Sequence, residues 1–571
     1  MSFSIRKEYD IIDVYINIYR KDDFMHRNPV NLPERTVIIK GRSGSYVYLT
    51  QGVKYSPELK QTRPVRVAIG KLNEEGKLIP NRNYFEIFPY EQNEPGDKAD
   101  FVIAGPHFVA DRISTENGLK ELLETIFKDD SDRILDIATY MMMSENNAMQ
   151  YFEDYGYNHT LFSAENFDDN AIGRLFKKIK VKDIDLFIRS WVHMHVEKQI
   201  YVAYDSTNMN SAAGNLELAE YGHAKDRDEL PQVNLSIGYN QTDQVPLFYE
   251  LFPGSIIDNT ECEKMVERAR QYGCREIGFI LDRGYFSLRN IRYFEKHNYD
   301  YILMTKGNAK FIQEVAEEAG AVLKNGYSNY MQGYELYGMT VEKDLFNTGK
   351  KEYVHVYYNG IEAEKEKITI NNRFNKMDEE LEKKKEKKIK KAEDVKSYEK
   401  YYRLGFDENG YFMNYQRKDN EIMKLINKAG YFAIVTSKKM SAEEALETYR
   451  DRDAVEKIFR MEKTYLGNDV FRVHSEEKLE SKVFVSFIAL IIRNEIYKSL
   501  KELYKTNRKE YTVPKVLKDY ERLGVTKLAD EKYHIRYRLT NKQKKILKAL
   551  GATEEEYRKF VNEQMDMLVN N

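Results

Sequence analysis

Three acidic residues, Asp205, Asp282 and Glu456, have side chains and surroundings that suit metal-dependent chemistry on phosphates. Each aspartate directly follows a short apolar run, and the glutamate lies in a stretch with helical periodicity. Carboxylate oxygens are hard ligands that suit Mg²⁺ or Mn²⁺. Two such ions can activate an attacking oxygen and stabilise a leaving one in phosphodiester displacement. The alternative is that these acids only cap elements or form ion pairs.

The glutamate belongs to residues 442–463, which predict one continuous helix with a capping box formed by Ser441 and Glu444. At about 100° per residue, four polar side chains of this helix share a stripe about 60° wide and roughly 21 Å long. They are Tyr449, Arg452, Glu456 and Lys463. Two cations beside a hydroxyl suit phosphate binding. A solvated charged face is the alternative interpretation.

The elements that must position these residues are predicted from the order of apolar runs and amphipathic stretches. Residues 200–304 predict three strands, a helix, a strand, a helix and a strand. The strands are Ile200–Tyr204, Val233–Tyr239, Val245–Phe252, Glu276–Leu281 and Asp300–Met304, and the helices are Thr260–Tyr272 and Ser287–His297. Helical connections imply parallel pairing and an α/β layer fold. In such sheets ligands collect at the carboxyl ends of strands, where the two aspartates are expected to lie.

The spacing from Tyr449 to Lys463, Y-x-x-R-x-x-x-E-x-x-x-x-x-x-K, resembles the YREK signature of DDE transposases in the superfamily of insertion sequence family four. The sequences DSTN from Asp205 and DRGYF from Asp282 resemble the two acidic motifs of that family. The sequence GHAKDRDELPQ, residues 222–232, is similar to a stretch of its long, insertion-bearing members.

The resemblance implies an α/β fold with an RNase H-like catalytic core and a β-rich and helical insertion before the acidic helix. It implies that Asp205, Asp282 and Glu456 hold two Mg²⁺ ions, for which Mn²⁺ can substitute. The residues that it places on DNA phosphates near the cut are Tyr449, Arg452 and Lys463. The implied reaction is cut-and-paste movement of a bacterial insertion sequence. Water would nick the element ends, and the freed 3′-hydroxyl would attack target DNA.

The resemblance also implies a partner and an assembly. The partner is double-stranded DNA, as terminal inverted repeats and as target, and the assembly is a homodimer on paired ends. Some relatives stack a tryptophan of the insertion on a flipped base during hairpin formation. The only tryptophan here is Trp191, ahead of the core, so the hairpin step stays open. Two alternative functions also stay open: an RNase H-like nuclease such as a resolvase without strand transfer, and a non-catalytic DNA-binding regulator.

The sequence divides into six predicted regions. Two possible DNA-binding regions come first, one rich in β-strands and one helical, followed by the two parts of the core on either side of the insertion, and then by a basic helical region. Their bounds are 1–110, 111–195, 196–305 with 431–500 as the core, 306–430 as the insertion, and 501–571.

The charges of the chain nearly cancel overall but are unevenly distributed along the sequence. The 90 basic and 92 acidic residues leave a net charge of −2, so nucleic-acid binding must come from local patches. One patch is 500–548, with fifteen Lys and Arg against six Asp and Glu, for which a solvated helical surface is the alternative. The other is a set of cations on predicted N-terminal strands, which suit a basic sheet or ribbon along a phosphate backbone or an ordinary β domain. They are Lys40, Arg42, Lys54, Lys60, Arg63, Arg66 and Lys71.

Two cysteines, Cys262 and Cys274, exclude a disulfide framework and a cysteine-type zinc site, and they suit a reducing compartment. The N-terminus has no secretory apolar region, and the longest apolar run, Val483–Ile492, is too short to span a bilayer. We therefore expect a soluble intracellular protein, and the resemblance implies the bacterial cytoplasm, at the nucleoid.

Overall fold

The computed structural model describes most of the chain. The described residues are 29–41, 44–56, 61–73, 75–88, 101–144, 148–196, 200–211, 216–221, 230–256, 258–274, 277–305, 314, 320, 322–324, 326–346, 349–387, 395–468, 470–473, 475–527, 533–536 and 538–570. Three sequence features lie outside them: Arg42, Lys60 and most of the GHAKDRDELPQ stretch, residues 222–229.

The described residues form strands and helices in alternating blocks. The strands are β1 (Thr36–Gly41), β2 (Gly44–Ser56), β3 (Gln61–Leu72), β4 (Leu78–Pro80), β5 (Phe101–Ile103), β6 (Ile200–Ser211), β7 (Gln232–Asn240), β8 (Val245–Pro253), β9 (Ile277–Leu281), β10 (Asp300–Met304), β11 (Tyr330–Met331), β12 (Leu336–Lys343), β13 (Glu352–Tyr358), β14 (Tyr402–Phe406), β15 (Phe412–Arg417), β16 (Tyr431–Thr436), β17 (Val470–Phe471), β18 (Gly524–Lys527) and β19 (Tyr533–Ile535). The helices are α1 (Arg82–Ile87), α2 (Gly105–Glu116), α3 (Leu119–Phe127), α4 (Ser131–Ser144), α5 (Phe152–Tyr157), α6 (Asp169–Lys178), α7 (Val181–His195), α8 (Asp258–Gln271), α9 (Leu288–Lys296), α10 (Gly360–Glu386), α11 (Asp419–Lys428), α12 (Ala442–Arg450), α13 (Asp453–Arg460), α14 (Glu476–Thr506), α15 (Val513–Tyr520), α16 (Asn541–Ala549) and α17 (Glu554–Asn570).

The largest sheet has ten strands, in the order β11-β12-β13-β16-β10-β9-β6-β7-β8, with β17 paired to β6. Strands β6, β9 and β10 are parallel to each other, and β6, β7 and β8 form an antiparallel meander. Helices α8 and α9 connect β8 to β9 and β9 to β10. The mixed α/β architecture is the predicted fold class, and this arrangement is consistent with an RNase H-like core.

Strand β6 is longer than the sequence predicts. The apolar run ends at Tyr204, yet the strand continues through Asp205 to Ser211 along β7. The added residues are mostly polar and mostly buried, and they pair with β7 along the sheet. Asn208 also donates to the side-chain oxygen of Asn234 on β7 at 2.7 Å. The prediction that the first strand ends before Asp205 is therefore wrong.

The N-terminal strands β1 to β4 form a separate four-stranded antiparallel sheet. Its small core joins Val47, Leu49 and Ile69 to Leu78 and Tyr84. The predicted strands of this region are present, and β2 and β3 extend well beyond the core as a two-stranded ribbon.

Residues between β10 and β16 contribute to two structures. The β12–β13 hairpin joins the large sheet through β16. Helix α10, the β14–β15 hairpin and α11 form a second cluster with its own core, in which Phe374 and Leu381 of the long helix face Tyr402 and Phe412. The insertion is therefore partly an extension of the core sheet and partly a small separate cluster.

Helix α14 is the buried helix that the sequence predicts from the apolar run. It is longer than the run, and residues 481–494 are buried on every side because the helix packs against α2, α4, α6 and β8. The C-terminal helices follow, but β18 and β19 were absent from the prediction. Strand β18 pairs with β19 and with β5, which lies far earlier in the chain, and local periodicity does not reveal such a distant partner. Within the described residues, no helix has the length and apolar character needed to cross a membrane.

Candidate active site

The two aspartates lie side by side because of the parallel register between β6 and β9. The last aligned pair is Tyr204 with Leu281, so Asp205 and Asp282 are the next residue on each strand. Neighbouring strands are about 4.8 Å apart. A backbone N–H fixes each carboxylate: Ser206 donates to Asp205 Oδ1 at 2.8 Å, and Arg283 donates to Asp282 Oδ1 at 2.7 Å.

The predicted helix over residues 442–463 is present but is not continuous. Its capping box forms as predicted, and α12 ends at Arg450. A tighter turn follows, in which the N–H of Arg452 donates to the carbonyl of Tyr449. Helix α13 then leads into a π-helical turn, Met461–Tyr465. The prediction of one regular helix is therefore wrong, and Lys463 lies on the π-helical turn, partly buried.

Arg452 is the centre of the cluster. Its Nη1 is 3.1 Å from Asp205 Oδ2, and its Nη2 is 3.1 Å from Glu456 Oε1 and 4.0 Å from Asp282 Oδ1. Its side chain is only 8% exposed, and the guanidinium also lies 5.4 Å from the ring centre of Tyr449. Three carboxylates from three separate parts of the chain therefore face one planar cation with its fork of donors.

Tyr449 completes the cluster from the preceding turn of helix. Its hydroxyl donates to Asp282 Oδ1 at 3.2 Å. Burial raises the pKa of Tyr449, Asp282 and Asp205 raise it further, and Arg452 opposes them. The phenol therefore keeps its proton at neutral pH and acts as a donor.

The charge of Arg452 is also secure. Burial lowers the pKa of its guanidinium, but Tyr449 and the carboxylates of Asp205, Asp282 and Glu456 raise it by more. Three carboxylates face this one guanidinium at the edge of the sheet. Within the described part of the chain, the buried Nε–H of Arg452 donates to no acceptor.

The donor set fits a hard divalent cation, but the spacing is set by the guanidinium. Carboxylate oxygens are the hard ligands that Mg²⁺ or Mn²⁺ require. Among the described residues, no three Asp, Glu, His or Cys side chains stand close enough together to hold a metal. The reason is that the guanidinium lies between the three acids, so a cation requires them to close in around it.

A buried acid outside the cluster, Glu462, supports the π-helical turn, and no motif in the sequence predicts this role. Glu462 Oε1 accepts hydrogen bonds from Asn468 at 2.7 Å and from Ser486 at 2.8 Å. Burial raises the pKa of Glu462 to about 7, although both hydrogen bonds lower it. Because Ser486 belongs to α14, this contact fixes the end of the acidic helix on the buried helix.

Trp191 is a core residue. Its side chain is buried in α7, and its Nε1–H donates to the carbonyl of Pro246 at 2.8 Å. Burial and this hydrogen bond therefore give Trp191 a structural role in the core.

A comparison with family models identifies one family for this chain. A family model described as "Transposase DDE domain" matches residues 198–492, which include all three acids. A search of curated proteins finds no match. Eight chains of solved structures match, among them a piggyBac transposase in a synaptic complex with hairpin DNA. That match covers 76% of each chain at 10% identity with a TM-score of 0.34.

Proposed function

The chain belongs to the transposase DDE domain family, whose model matches more than half of it, and from this premise we propose that it moves a bacterial insertion sequence by cut-and-paste transposition. In this proposal it is a long member of the superfamily of insertion sequence family four. Its substrates are the terminal inverted repeats of the element and the target DNA. The reaction is hydrolysis of a phosphodiester bond at each element end, followed by transesterification with the freed 3′-hydroxyl.

We assign the metal-holding role to Asp205, Asp282 and Glu456. A pair of Mg²⁺ ions, or Mn²⁺ in their place, would supply activation of the attacking oxygen and stabilisation of the leaving one. The chain itself orients the acids: backbone N–H groups fix both aspartates, and the Tyr449 hydroxyl holds Asp282. Arg452 holds the cluster together through its charge.

We assign the binding of DNA phosphates near the cut to three side chains, those of Tyr449, Arg452 and Lys463. The contacts of the first two with the acids support this assignment, because a scissile phosphate must also lie beside the acids. Arg matches phosphate geometry, and a Tyr hydroxyl can donate to a phosphate oxygen.

We further propose a homodimer on paired element ends, because cut-and-paste joins two ends to one target. The proposed location is the bacterial cytoplasm, at the nucleoid. Both statements rest on the function proposed above.

The observation that carries the proposal is the meeting of Asp205, Asp282 and Glu456 at one cation. The test is a strand-transfer assay that uses DNA from both flanks of the gene, a target plasmid and Mg²⁺. Asp205→Asn, Asp282→Asn and Glu456→Gln should each abolish cleavage and joining. Glu447→Gln on the exposed side of α12 is the matched control and should retain both.

The outcomes separate the alternatives. Joined products that depend on all three acids support the transposase. Cleavage without joining indicates a nuclease of resolvase type. DNA binding without any metal-dependent cleavage indicates a regulator, and either of the last two results would refute the proposal.

A further inference from the structure

The ribbon formed by β2 and β3 is exposed on both faces. Side chains 51–55 and 61–66 all lie in solvent, whereas Val47, Leu49 and Ile69 nearer the base of the same strands form the small core. An isolated two-stranded ribbon is at best marginally stable in water. The side chains of the outer ribbon are therefore not stabilised by packing against the small core.

Apolar side chains stand on both faces of the ribbon. The register pairs Val53 with Pro64 and Tyr55 with Thr62 on one face, and Gly52 with Val65 on the other. Val53 is 70% exposed and Tyr55 is 59% exposed. Large apolar side chains grouped on a projecting element mark a surface that binds something.

The charge of the ribbon indicates what it binds. Lys54 stands directly opposite Arg63, and like charges in this position destabilise a strand pair. Arg66 adds a third cation two residues beyond Pro64. Among the described residues, no acidic side chain forms an ion pair with Lys54, Arg63 or Arg66. Residues 51–66 contain four basic residues and one acidic residue, so the complement is a polyanion.

We propose that the outer β2–β3 ribbon is an arm that lies in the major groove of duplex DNA. Two strands about 4.8 Å apart fit a groove about 12 Å wide. Lys54, Arg63 and Arg66 contact phosphates, and Val53 and Tyr55 lie against base edges. This inference rests on the proposed action on DNA and adds the element that grips the duplex away from the acids.

The charge component is tested by the salt dependence of binding. Anisotropy of a labelled mixed-sequence duplex is followed between 50 and 200 mM salt, with the full chain and no divalent cation. Each phosphate contact contributes about 0.9 to the slope of log K against log salt. The pair Lys54→Gln with Arg63→Gln should lower the slope by about 1.8, so that its affinity falls about 12-fold less than the parent's over this range. The matched control is Lys376→Gln with Lys383→Gln, exposed on α10, and it should keep the parent slope.

The apolar component is tested by Val53→Ala with Tyr55→Ala. This pair should bind the duplex about tenfold more weakly with an unchanged slope, since it removes contact area and no charge. Circular dichroism and thermal melting should match the parent, because these side chains are exposed in the free protein. Parent-like slope in the Lys54 and Arg63 variant overturns the proposal. A ribbon that packs on a second copy also overturns it, and light scattering would show this as a loss of dimer in the Val53 and Tyr55 variant with DNA binding unchanged.

The binding assay and the strand-transfer assay with Mg²⁺ together separate this inference from the proposed function. Asp205→Asn should bind the duplex with the parent slope and fail to cleave it. If the ribbon variants bind as the parent does while the parent cleaves and joins DNA, only the ribbon assignment fails. If the parent neither binds nor cleaves DNA, the proposed function fails.

Discussion

Replacing Arg452 with glutamine separates the cation from the acids that it holds. The guanidinium contacts Asp205 and Glu456 at 3.1 Å each and faces Asp282 at 4.0 Å. Glutamine keeps a hydrogen-bond donor but carries no charge. Without a divalent cation, three carboxylates would then face each other, and we expect the variant to unfold more easily than the parent.

The size of the effect follows from the burial of each partner. Two charges about 4 Å apart attract by roughly 4 kcal/mol at an effective dielectric constant of about 20. Removing one partner of a buried pair costs about 3–5 kcal/mol, because the other charge is left buried. Asp205 is largely buried, whereas Glu456 is 60% exposed, so the second contact adds at most about 0.5 kcal/mol. We expect a loss of about 3 kcal/mol in the free energy of unfolding.

Mn²⁺ should restore most of this loss. A ligand at 100 times its dissociation constant stabilises the folded state by about 2.7 kcal/mol. In the parent, the guanidinium of Arg452 competes with the ion for the same carboxylate oxygens. We therefore expect the variant to bind Mn²⁺ more tightly than the parent and to gain more stability from it, while it loses DNA cleavage.

Urea unfolding followed by Trp191 fluorescence, with and without Mn²⁺, measures the stability, and electron paramagnetic resonance measures free Mn²⁺. The matched control is Arg450→Gln, two residues earlier, whose exposed guanidinium lies 4.8 Å from the ring centre of Tyr334. Its loss should stay below about 1 kcal/mol. If Arg452→Gln unfolds at the parent's urea concentration, or binds Mn²⁺ no more tightly, the account of the cluster is refuted.

Three further changes test other contacts. Tyr449→Phe removes the hydrogen bond to Asp282 and should cost about 1 kcal/mol in urea unfolding; an unchanged midpoint would contradict that bond. Burial raises the pKa of Glu462 to about 7 from its usual 4.5, so the folded state keeps a proton that the unfolded state releases. The free energy of unfolding of the parent should therefore fall by up to about 3 kcal/mol as the pH rises from about 4.5 to 7, whereas that of Glu462→Gln should not. Parallel pH profiles of the two proteins would count against this. Trp191→Phe removes the hydrogen bond to Pro246 and packing volume, which should cost about 1–3 kcal/mol, while cleavage by the folded fraction stays unchanged.

The sequence predicts the strands that carry the site because they are short apolar runs between polar turns. Asp300–Met304 is observed with the predicted bounds. The helical connection between β9 and β10 makes parallel pairing the expected arrangement, as observed. Adjacency of Asp205 and Asp282 follows from the same rule, since each comes directly after a buried run.

Features that depend on distant partners could not be predicted in this way. The second half of β6 is mostly polar, so it lacks the apolar pattern on which strand prediction relies. It pairs with β7, and Asn208 donates a hydrogen bond to Asn234 of that strand. The short strands β18 and β19 need β5, more than 400 residues earlier. The helix breaks after Arg450 although no proline or glycine lies there to predict the break.

The position of Arg452 is the clearest case of tertiary structure adding to a correct local pattern. Its spacing of four from Glu456 places the two side chains on one face of a helix, as predicted. That spacing cannot say whether the guanidinium turns to solvent, to a phosphate or to Asp205, because the choice depends on which strand packs beneath. In the structure both terminal nitrogens contact acids, and the Nε–H has no acceptor among the described residues. A phosphate that displaces a carboxylate from one of the terminal nitrogens would free that acid, which links the grip on DNA to the closing of the acids around a cation.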